Sequence, residues 1–241
     1  MQKVHVIFRK DDLDPALAPG KIAVVLDVIF ATSTIVTALR EGARSVVPAR
    51  DEAQARELSQ GFPPGEFVLA GEYHADTLPG FHPYNPLAMR SSVLSGKDLI
   101  YATTNGTVAL HGAMACKQVY AGSLLNASAL ADHLLAHYTT ETLLLVCSGS
   151  RGTFSLEDFY GAGCIVSRLL ERSDPGRFAL SDSAIAALRL CRENDALDIL
   201  MASKVGRRMA ARDMEDDIRY AATLDACPIV PALMDGKLVR V

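Results

Sequence analysis

The sequence contains no long apolar stretch. Nowhere in its 241 residues do about 18 apolar residues follow one another, so it offers no candidate for a membrane-spanning helix. The N-terminal segment MQKVHV also lacks the apolar core of a signal peptide. We therefore expect a cytoplasmic protein that does not associate with membranes.

Paired cysteines and an excess of positive charge are missing too. The five cysteines are widely spaced and include no Cys-x-x-Cys pair, so the sequence signals neither a zinc knuckle nor a disulfide framework. We expect reduced, mostly buried thiols. The formal net charge is -4, which leaves no broad basic face for binding nucleic acid. A small anionic ligand would have to be held locally, by helix N-termini and a few cations.

Two glycine-rich nucleotide-binding patterns are also absent. The sequence has neither the GxGxxG turn of dinucleotide-binding Rossmann proteins nor the GxxxxGK[ST] sequence of a P-loop. A nucleotide-binding Rossmann protein is therefore disfavoured.

What the sequence does contain is an alternation of strand-like and helical segments. The composition is 49% hydrophobic, which is sufficient for a buried core, and we expect one domain over residues 1–241. The strand-like segments are almost continuously apolar, which is typical of strands covered by helices on both faces. This pattern predicts an α/β fold: a three-layer α/β/α sandwich with a mostly parallel or mixed sheet and a helical C-terminal third.

The bounds of these segments follow from periodicity and turn residues. The predicted strands are 4–8, 22–26, 45–47, 67–70, 99–102, 118–121 and 142–146. The predicted helices between them are 31–41, 51–60, 106–114, 126–137 and 156–170. After the turn at residues 174–176, the predicted helices are 181–193, 196–203, 205–212 and 214–222. The last predicted strands are 229–231 and 237–241.

Two predicted strands are followed by a carboxylate, at the place where open α/β sheets bind ligands. Asp27 follows strand 22–26, and Thr32 and Thr34 open the next helix. Asp27 is placed to bind a metal or a proton, but a capping role, with the hydroxyls satisfying the backbone, is equally well supported. Glu72 follows strand 67–70 and precedes a long irregular stretch of a kind that is more often functional than idle. Glu72 is a candidate metal ligand, although a solvated turn glutamate is the commoner case.

The other two strand ends carry small and hydroxyl residues. Strand 99–102 is followed by Thr103, Thr104, Asn105 and Gly106. Strand 142–146 is followed by Ser148, Gly149, Arg151, Glu157 and Asp158. The amides and hydroxyls of the first group are suited to cradle an anion at a helix start, although the pattern alone is a weak phosphate signal. In the second group, the spacing of Ser155 and Asp158 fits a capping box, so we expect at least one acid to be structural.

In order and spacing, these motifs resemble the 2-phosphosulfolactate phosphatase family. The matching segments are VLDV (25–28), ATST (31–34), GE (71–72), TTNGT (103–107), SG (148–149), GTFSLED (152–158), GR (206–207), DDI (216–218) and VP (230–231). The resemblance covers nearly the whole chain. It implies an α/β/α fold and Mg2+-dependent hydrolysis of the phosphate monoester of a small acid, releasing sulfolactate on the route to coenzyme M.

On the hypothesis of a Mg2+-dependent phosphatase, roles can be assigned to individual residues. The expected catalytic residues are Asp27, Glu72, Arg151 and Arg207. The expected ligands of Mg2+ are Asp27, Glu72, Glu157 and Asp158. The expected phosphate-binding residues are Thr32, Thr34, Thr103, Thr104, Asn105, Gly106, Ser148 and Gly149. The expected partner is a small anionic substrate; the sequence leaves open a homo-oligomer, and whether water or a carboxylate attacks phosphorus.

The sequence departs from the family pattern at four places. Phe30 and Tyr73 stand where arginines are expected, and Val205 stands where a histidine is usual. His82 begins the stretch HPYNP, which replaces a more usual Asp-x-Gly-Asn-Ser-Pro. Because two guanidiniums that would hold a doubly charged substrate are missing, we expect a less cationic pocket and a less negatively charged substrate than phosphosulfolactate. The alternative is a non-catalytic protein of the same fold that binds a small acid, with a pocket reshaped by Phe30, Tyr73 and Tyr84.

Overall fold

The computed structural model describes residues 1–241 and contains one sheet of eleven strands with nine α-helices around it. The strands are β1 Gln2–Ile7, β2 Ile22–Leu26, β3 Ser45–Ala49, β4 Phe67–Tyr73, β5 Asp76–Thr77, β6 Asp98–Ala102, β7 Gln118–Gly122, β8 Leu143–Cys147, β9 Phe178–Leu180, β10 Pro231–Met234 and β11 Lys237–Arg240. The helices are α1 Ala31–Arg40, α2 Glu52–Ser59, α3 Gly106–Gly112, α4 Ala127–His137, α5 Leu156–Glu171, α6 Asp182–Glu193, α7 Ala196–Ala202, α8 Lys204–Ala210 and α9 Glu215–Ala221. No helix combines the length and apolar character needed to cross a membrane.

Two sets of parallel strands make up most of the sheet, whose order is β5-β4-β6-β3-β11-β10-β7-β2-β8-β1-β9. One set contains β7, β2, β8, β1 and β9, and the other contains β3, β6 and β4. The antiparallel hairpin β10–β11 joins the two sets, with β10 against β7 and β11 against β3. The sheet is therefore mixed, which is one of the two arrangements that the sequence predicts.

Helices cover both faces of the sheet, as the apolar strands predict. Along β2, the buried side chains of Ile22, Val24 and Leu26 pack into a core that α4, α5 and α6 share. The alternate side chains of Ala23 and Val25 pack on the opposite face, in a core formed with α1 and α3. Because successive strand residues point to opposite faces, a continuously apolar strand can supply both cores at once. The three-layer prediction is confirmed.

The predicted segments are present, with small differences at their ends. Strands β5 and β9 were not predicted, because two or three residues are too few to show a strand period. The strand predicted at 229–231 is displaced and begins at Pro231. The carbonyl of Ile229 accepts a hydrogen bond from the buried side-chain amide of Asn126, so this part of the backbone is tied to the loop before α4 rather than to the sheet.

The starts of α1 and α3 touch, and this contact brings the ends of β2 and β6 together although other strands separate them in the sheet. Gly106, the first residue of α3, packs directly on Ala31, the first residue of α1. A Cβ at position 106 would overlap the side chain of Ala31 and lie 2.7 Å from Oδ2 of Asp27. Only glycine fits this approach without displacing a neighbour. The contact sets the position of the candidate site.

Candidate active site

A narrow pocket lies where the loops after β2, β6 and β8 converge with the end of β4. Its volume is about 50 Å³. Its lining residues are Asp27, Phe30, Glu72, His74, Ala75, Tyr84, Thr103, Thr104, Asn105, Gly149, Ser150, Arg151, Ser155, Glu157, Asp158, Val205, Arg208 and Met209. The structure therefore brings all four candidate carboxylates to one cavity, as their positions at strand ends lead one to expect.

Asp27 is buried beside other negative charges, which disfavour its ionised form. Burial, followed by the nearby negative charges of Glu72 and Glu157, raises the pKa of Asp27 to about 7. None of the ion pairs in the structure involves a pocket carboxylate. Lys10 is the one cation whose charge lowers the pKa of Asp27. A carboxylate buried beside like charges is a candidate ligand for a cation.

The hydroxyls after Asp27 are already engaged within the protein. Thr32 Oγ1 accepts a hydrogen bond from the amide of Asp27 at 3.0 Å and donates to its carbonyl. Thr34 Oγ1 donates to the carbonyl of Tyr84 at 2.9 Å. Both threonines are fully buried and neither lines the pocket. Thr32 and Thr34 are therefore not placed to contact a phosphate in the pocket. Their hydroxyls satisfy backbone groups instead, which is the alternative that the sequence left open.

Glu72 holds the loop after β6 in place. Its Oε1 accepts a hydrogen bond from the amide of Thr104 at 2.6 Å, and its Oε2 accepts from Thr104 Oγ1 and from the amide of Ala75. The amide of Thr103 donates to Thr107 Oγ1. The amides of Thr103 and Thr104 are thus committed to the protein, which restricts the expected anion cradle. Gly106 is buried in its contact with α1 and does not line the pocket.

Asp158 joins the loop after β2 to the loop after β8. Its Oδ1 accepts a hydrogen bond from the amide of Val28 at 2.9 Å, and its Oδ2 accepts from the amide of Gly149 at 3.2 Å. Burial, followed by the charges of Asp27 and Glu157, raises the pKa of Asp158 well above its usual range. Ser155 makes no side-chain cap bond to α5. The spacing of Ser155 and Asp158 therefore does not produce a capping box. The hydrogen bonds of Asp158 to two other loops nevertheless agree with the expectation that at least one acid is structural.

Glu157 is buried like Asp158 but has no comparable set of backbone bonds. Only 4% of the residue is exposed, and burial raises the pKa of its carboxyl group. No backbone amide from a neighbouring strand loop donates to it, in contrast to Asp158. The hydroxyls of Ser155 and Ser203 act in the opposite direction from burial and lower the pKa of Glu157. Glu157 and Asp27 are therefore the pocket carboxylates to which the amides of neighbouring strand loops contribute least, and they are the candidates to bind a cation.

Three cations stand around the pocket, and two of them were not predicted. Arg151 lines it in a left-handed conformation, with φ 50°, between two glycines that also have positive φ. Arg208 lines it and donates to the carbonyl of His74, whereas the predicted Arg207 is exposed, bonds to the carbonyl of Ala202 and lies outside the pocket. Adjacent helix residues point about 100° apart. Arg208 can therefore face the pocket while its neighbour Arg207 faces solvent.

Lys10 is the third cation, and nothing in the sequence pattern indicated it. It lies in a short 3-10 turn, Lys10–Asp12, after β1. Its Nζ donates to Asn105 Oδ1 at 3.2 Å and to the carbonyl of Ser148 at 3.1 Å. The ammonium group therefore bridges the loops after β6 and β8 beside Asp27. An ammonium has three N–H donors, so one donor is left for a ligand.

Two buried polar atoms at the site have no partner within the protein. They are Ser148 Oγ, in a residue that is 1% exposed, and Nδ1 of His74, which lines the pocket. His74 and Ala75 also have φ values of 55° and 69°, a left-handed pair that costs strain in residues other than glycine. Unsatisfied buried donors and local strain are both typical of ligand sites. Sequence patterns could not reveal either feature.

The four departures from the family pattern fall in different places. Phe30 and Val205 line the pocket, and the ring of Phe30 meets that of Tyr84 edge-on, with ring centroids 5.1 Å apart. Tyr73 is 63% exposed and, like His82, is outside the pocket. Phe30 in place of the expected arginine therefore removes a positive charge from the pocket itself. Tyr73 in place of the other expected arginine removes one from the exposed surface beside the pocket.

The fold and this site together define a three-layer α/β protein. Its acidic pocket lies at the strand ends, with three cationic side chains in or beside it. A family model described as 2-phosphosulpholactate phosphatase matches residues 7–236. The chain belongs to the 2-phosphosulpholactate phosphatase family, which confirms the resemblance seen in its motifs.

Relatives of nearly the same length share this family name. A protein of Carboxydothermus hydrogenoformans named "Probable 2-phosphosulfolactate phosphatase" is 38% identical over 240 residues, covering 98% of this chain and 96% of the relative. Proteins with the same name from Thermotoga maritima and Symbiobacterium thermophilum are 39% and 35% identical, each over 91% of this chain and over 92% and 94% of their own lengths.

Proposed function

We propose that this protein is a Mg2+-dependent phosphatase that hydrolyses the phosphate monoester of a small acid, 2-phosphosulfolactate or a related compound. The observation that carries the proposal is the pocket itself, which is lined by four carboxylates without ion-pair partners and by Arg151 and Arg208. Lys10 lies beside it, bonded to the pocket residue Asn105. The relatives named above support the same activity. If the ester is 2-phosphosulfolactate, the released sulfolactate would serve the route to coenzyme M. We place the reaction in the cytoplasm.

The donor set fits a hard divalent cation. No three His, Cys, Asp or Glu side chains already stand at metal-binding distance from one site. Mg2+ is commonly bound through only one or two carboxylates, with water and substrate phosphate oxygens as its other ligands. Asp27 and Glu157 would hold it, because Glu72 and Asp158 are engaged with backbone amides. A bound Mg2+ would neutralise charge that develops on the phosphoryl oxygens.

The protein's own cations and donors would hold the phosphate group. Lys10 offers its third N–H between the loops that carry Asn105 and Ser148. Arg151 and Arg208 line the pocket, and an arginine can meet a phosphate with two parallel N–H bonds. These contacts would orient the ester and stabilise its negative charge.

Phe30 indicates the choice of substrate. It occupies a pocket position where the family pattern leads us to expect an arginine, so the organic part of the substrate should carry less negative charge than phosphosulfolactate. Phe30→Arg should raise kcat/KM for phosphosulfolactate at least tenfold, since an ionic hydrogen bond contributes about 1.5 to 3 kcal/mol. Tyr73→Arg is the matched control, because Tyr73 is exposed outside the pocket and should change the rate little. Efficient hydrolysis of phosphosulfolactate by the unmodified protein would contradict this assignment.

The second candidate function is the binding of a small acid without turnover, which the apolar residues Phe30 and Val205 in the pocket favour. Release of inorganic phosphate from an aryl phosphate, measured with Mg2+ and with a chelator, separates the two. Metal-dependent release supports the phosphatase. Saturable binding of the acid without any release supports the binder.

A further inference from the structure

A second cavity, away from the pocket, contains two cysteines. It has a volume of about 470 Å³ and lies between α5, α6 and the helices that follow. Cys164 of α5 and Cys191 of α6 both line it, together with Tyr160 and Arg168. The two thiols are far apart in the sequence, and the other three cysteines lie elsewhere and are buried. Only the packing of α5 on α6 brings this pair together.

The two helices approach each other unusually closely at the pair. A Cβ on Gly163 would overlap the carbonyl of Ala187 and lie 3.1 Å from the Cβ of Cys191. One turn further along α5, Ser167 Oγ accepts a hydrogen bond from Nε of Arg192. Cys164 and Cys191 therefore lie between two direct contacts of the same helix pair. A disulfide between helices needs the two cysteine Cα atoms within about 7 Å of each other, which only a closely packed helix pair provides.

The environment distinguishes the two thiols chemically. Cys191 is half-buried and reachable through the cavity, whereas Cys164 is 4% exposed. A hydrogen bond from Cys164, with smaller contributions from Tyr160 and the charge of Arg168, lowers the pKa of Cys191. The thiolate is the form that attacks an oxidant, and an accessible thiolate beside a second thiol is the usual arrangement of a redox-active pair.

We propose that Cys164 and Cys191 form a reversible oxidation site for hydrogen peroxide, separate from the phosphatase pocket. The Cys191 thiolate attacks the peroxide O–O bond and becomes a sulfenic acid, and the other oxygen leaves as hydroxide and is protonated to water. The Cys164 thiol then attacks the sulfenic sulfur, the disulfide forms, and a second water leaves. Two thiols lose two electrons in total, and one peroxide is reduced.

The Cys164–Cys191 disulfide would link α5 to α6, and α5 is the helix that carries two pocket carboxylates. The first turn of α5 carries Glu157 and Asp158 into the pocket, and Cys164 lies two turns further along the same helix. The proposal does not depend on phosphatase activity, because it concerns a different cavity and different side chains.

The test uses the full-length reduced protein treated with hydrogen peroxide, then alkylated, digested and analysed by mass spectrometry. We expect one dominant product, a Cys164–Cys191 disulfide peptide that is lighter than the two thiol peptides by two hydrogen atoms and is restored by a dithiol reductant. Cys164→Ser should leave a sulfenic acid on Cys191 that dimedone captures. Cys116→Ser, a change at a buried cysteine elsewhere, should leave the bridge intact. Oxidation that spares Cys191, or a bridge to any other cysteine, would overturn the proposal.

Discussion

Replacing the Asp27 carboxylate with a neutral amide should stabilise the protein in the absence of metal. Asp27→Asn keeps the shape of the side chain and removes a charge that the pocket disfavours. The pKa of Asp27 is raised from 3.8 to about 7, a difference of roughly three units. At about 1.4 kcal/mol per unit, ionisation of Asp27 costs the folded state at most about 4 kcal/mol. Because the pocket admits some water to this side chain, we expect a gain of about 1 to 3 kcal/mol for the variant.

The sign of the effect depends on pH. Between about pH 4 and pH 7 the folded protein holds the Asp27 proton more tightly than the unfolded chain does, so its stability falls as pH rises through this window. Below the window the carboxyl is protonated in both states, and the variant should then have no advantage. Above the window the full advantage of Asp27→Asn should be present.

Urea unfolding in the presence of a chelator, at pH 4 and at pH 8, measures the difference directly. The exposed Asp11→Asn is the control for removing a negative charge. Added Mg2+ should stabilise the wild-type protein but not Asp27→Asn, because the variant has lost a proposed ligand. The reasoning is refuted if Asp27→Asn is less stable than the wild type at pH 8 without metal.

Three further substitutions test the remaining parts of the site. Lys10→Met should raise the KM for a phosphate ester about tenfold, the equivalent of one ionic hydrogen bond, and steady-state kinetics would show it. Arg208→Ala should lower kcat/KM about tenfold to a hundredfold while Arg207→Ala changes it little; equal effects would contradict the placement of α8. Gly106→Ala should destabilise the fold by about 1 to 3 kcal/mol in urea unfolding, because its Cβ would overlap Ala31, and an unchanged midpoint would show that the contact can relax.

Local patterns predicted the framework of this protein. The apolar runs that became β2 and β8 could be identified because strands buried on both faces have no polar alternation to disguise them. The carboxylates Asp27 and Glu72 could be singled out because each follows such a strand. Their meeting in one pocket follows from the general rule that strand ends carry ligand sites.

The rest depends on contacts between distant parts of the chain. Lys10 enters the site through a 3-10 turn after β1, and no motif marks that turn. Thr32 and Thr34 have the composition of an anion site, but their hydroxyls are used by backbone groups that only the folded chain presents. Similarly, sequence cannot distinguish Phe30, which lines the pocket, from the exposed Tyr73, because both replace an expected arginine.

The most direct test of the account is the release of inorganic phosphate from a phosphate monoester by the wild-type protein and by Asp27→Asn, each with Mg2+ and with a chelator. 2-Phosphosulfolactate would be compared with a singly substituted aryl or alkyl phosphate, which carries no acidic group besides the phosphate. The account predicts release by the wild type only with Mg2+, a faster rate on the less negatively charged ester, and loss of both activities in a folded Asp27→Asn variant. Release that persists in the chelator, or that survives the loss of the Asp27 carboxylate, would contradict it.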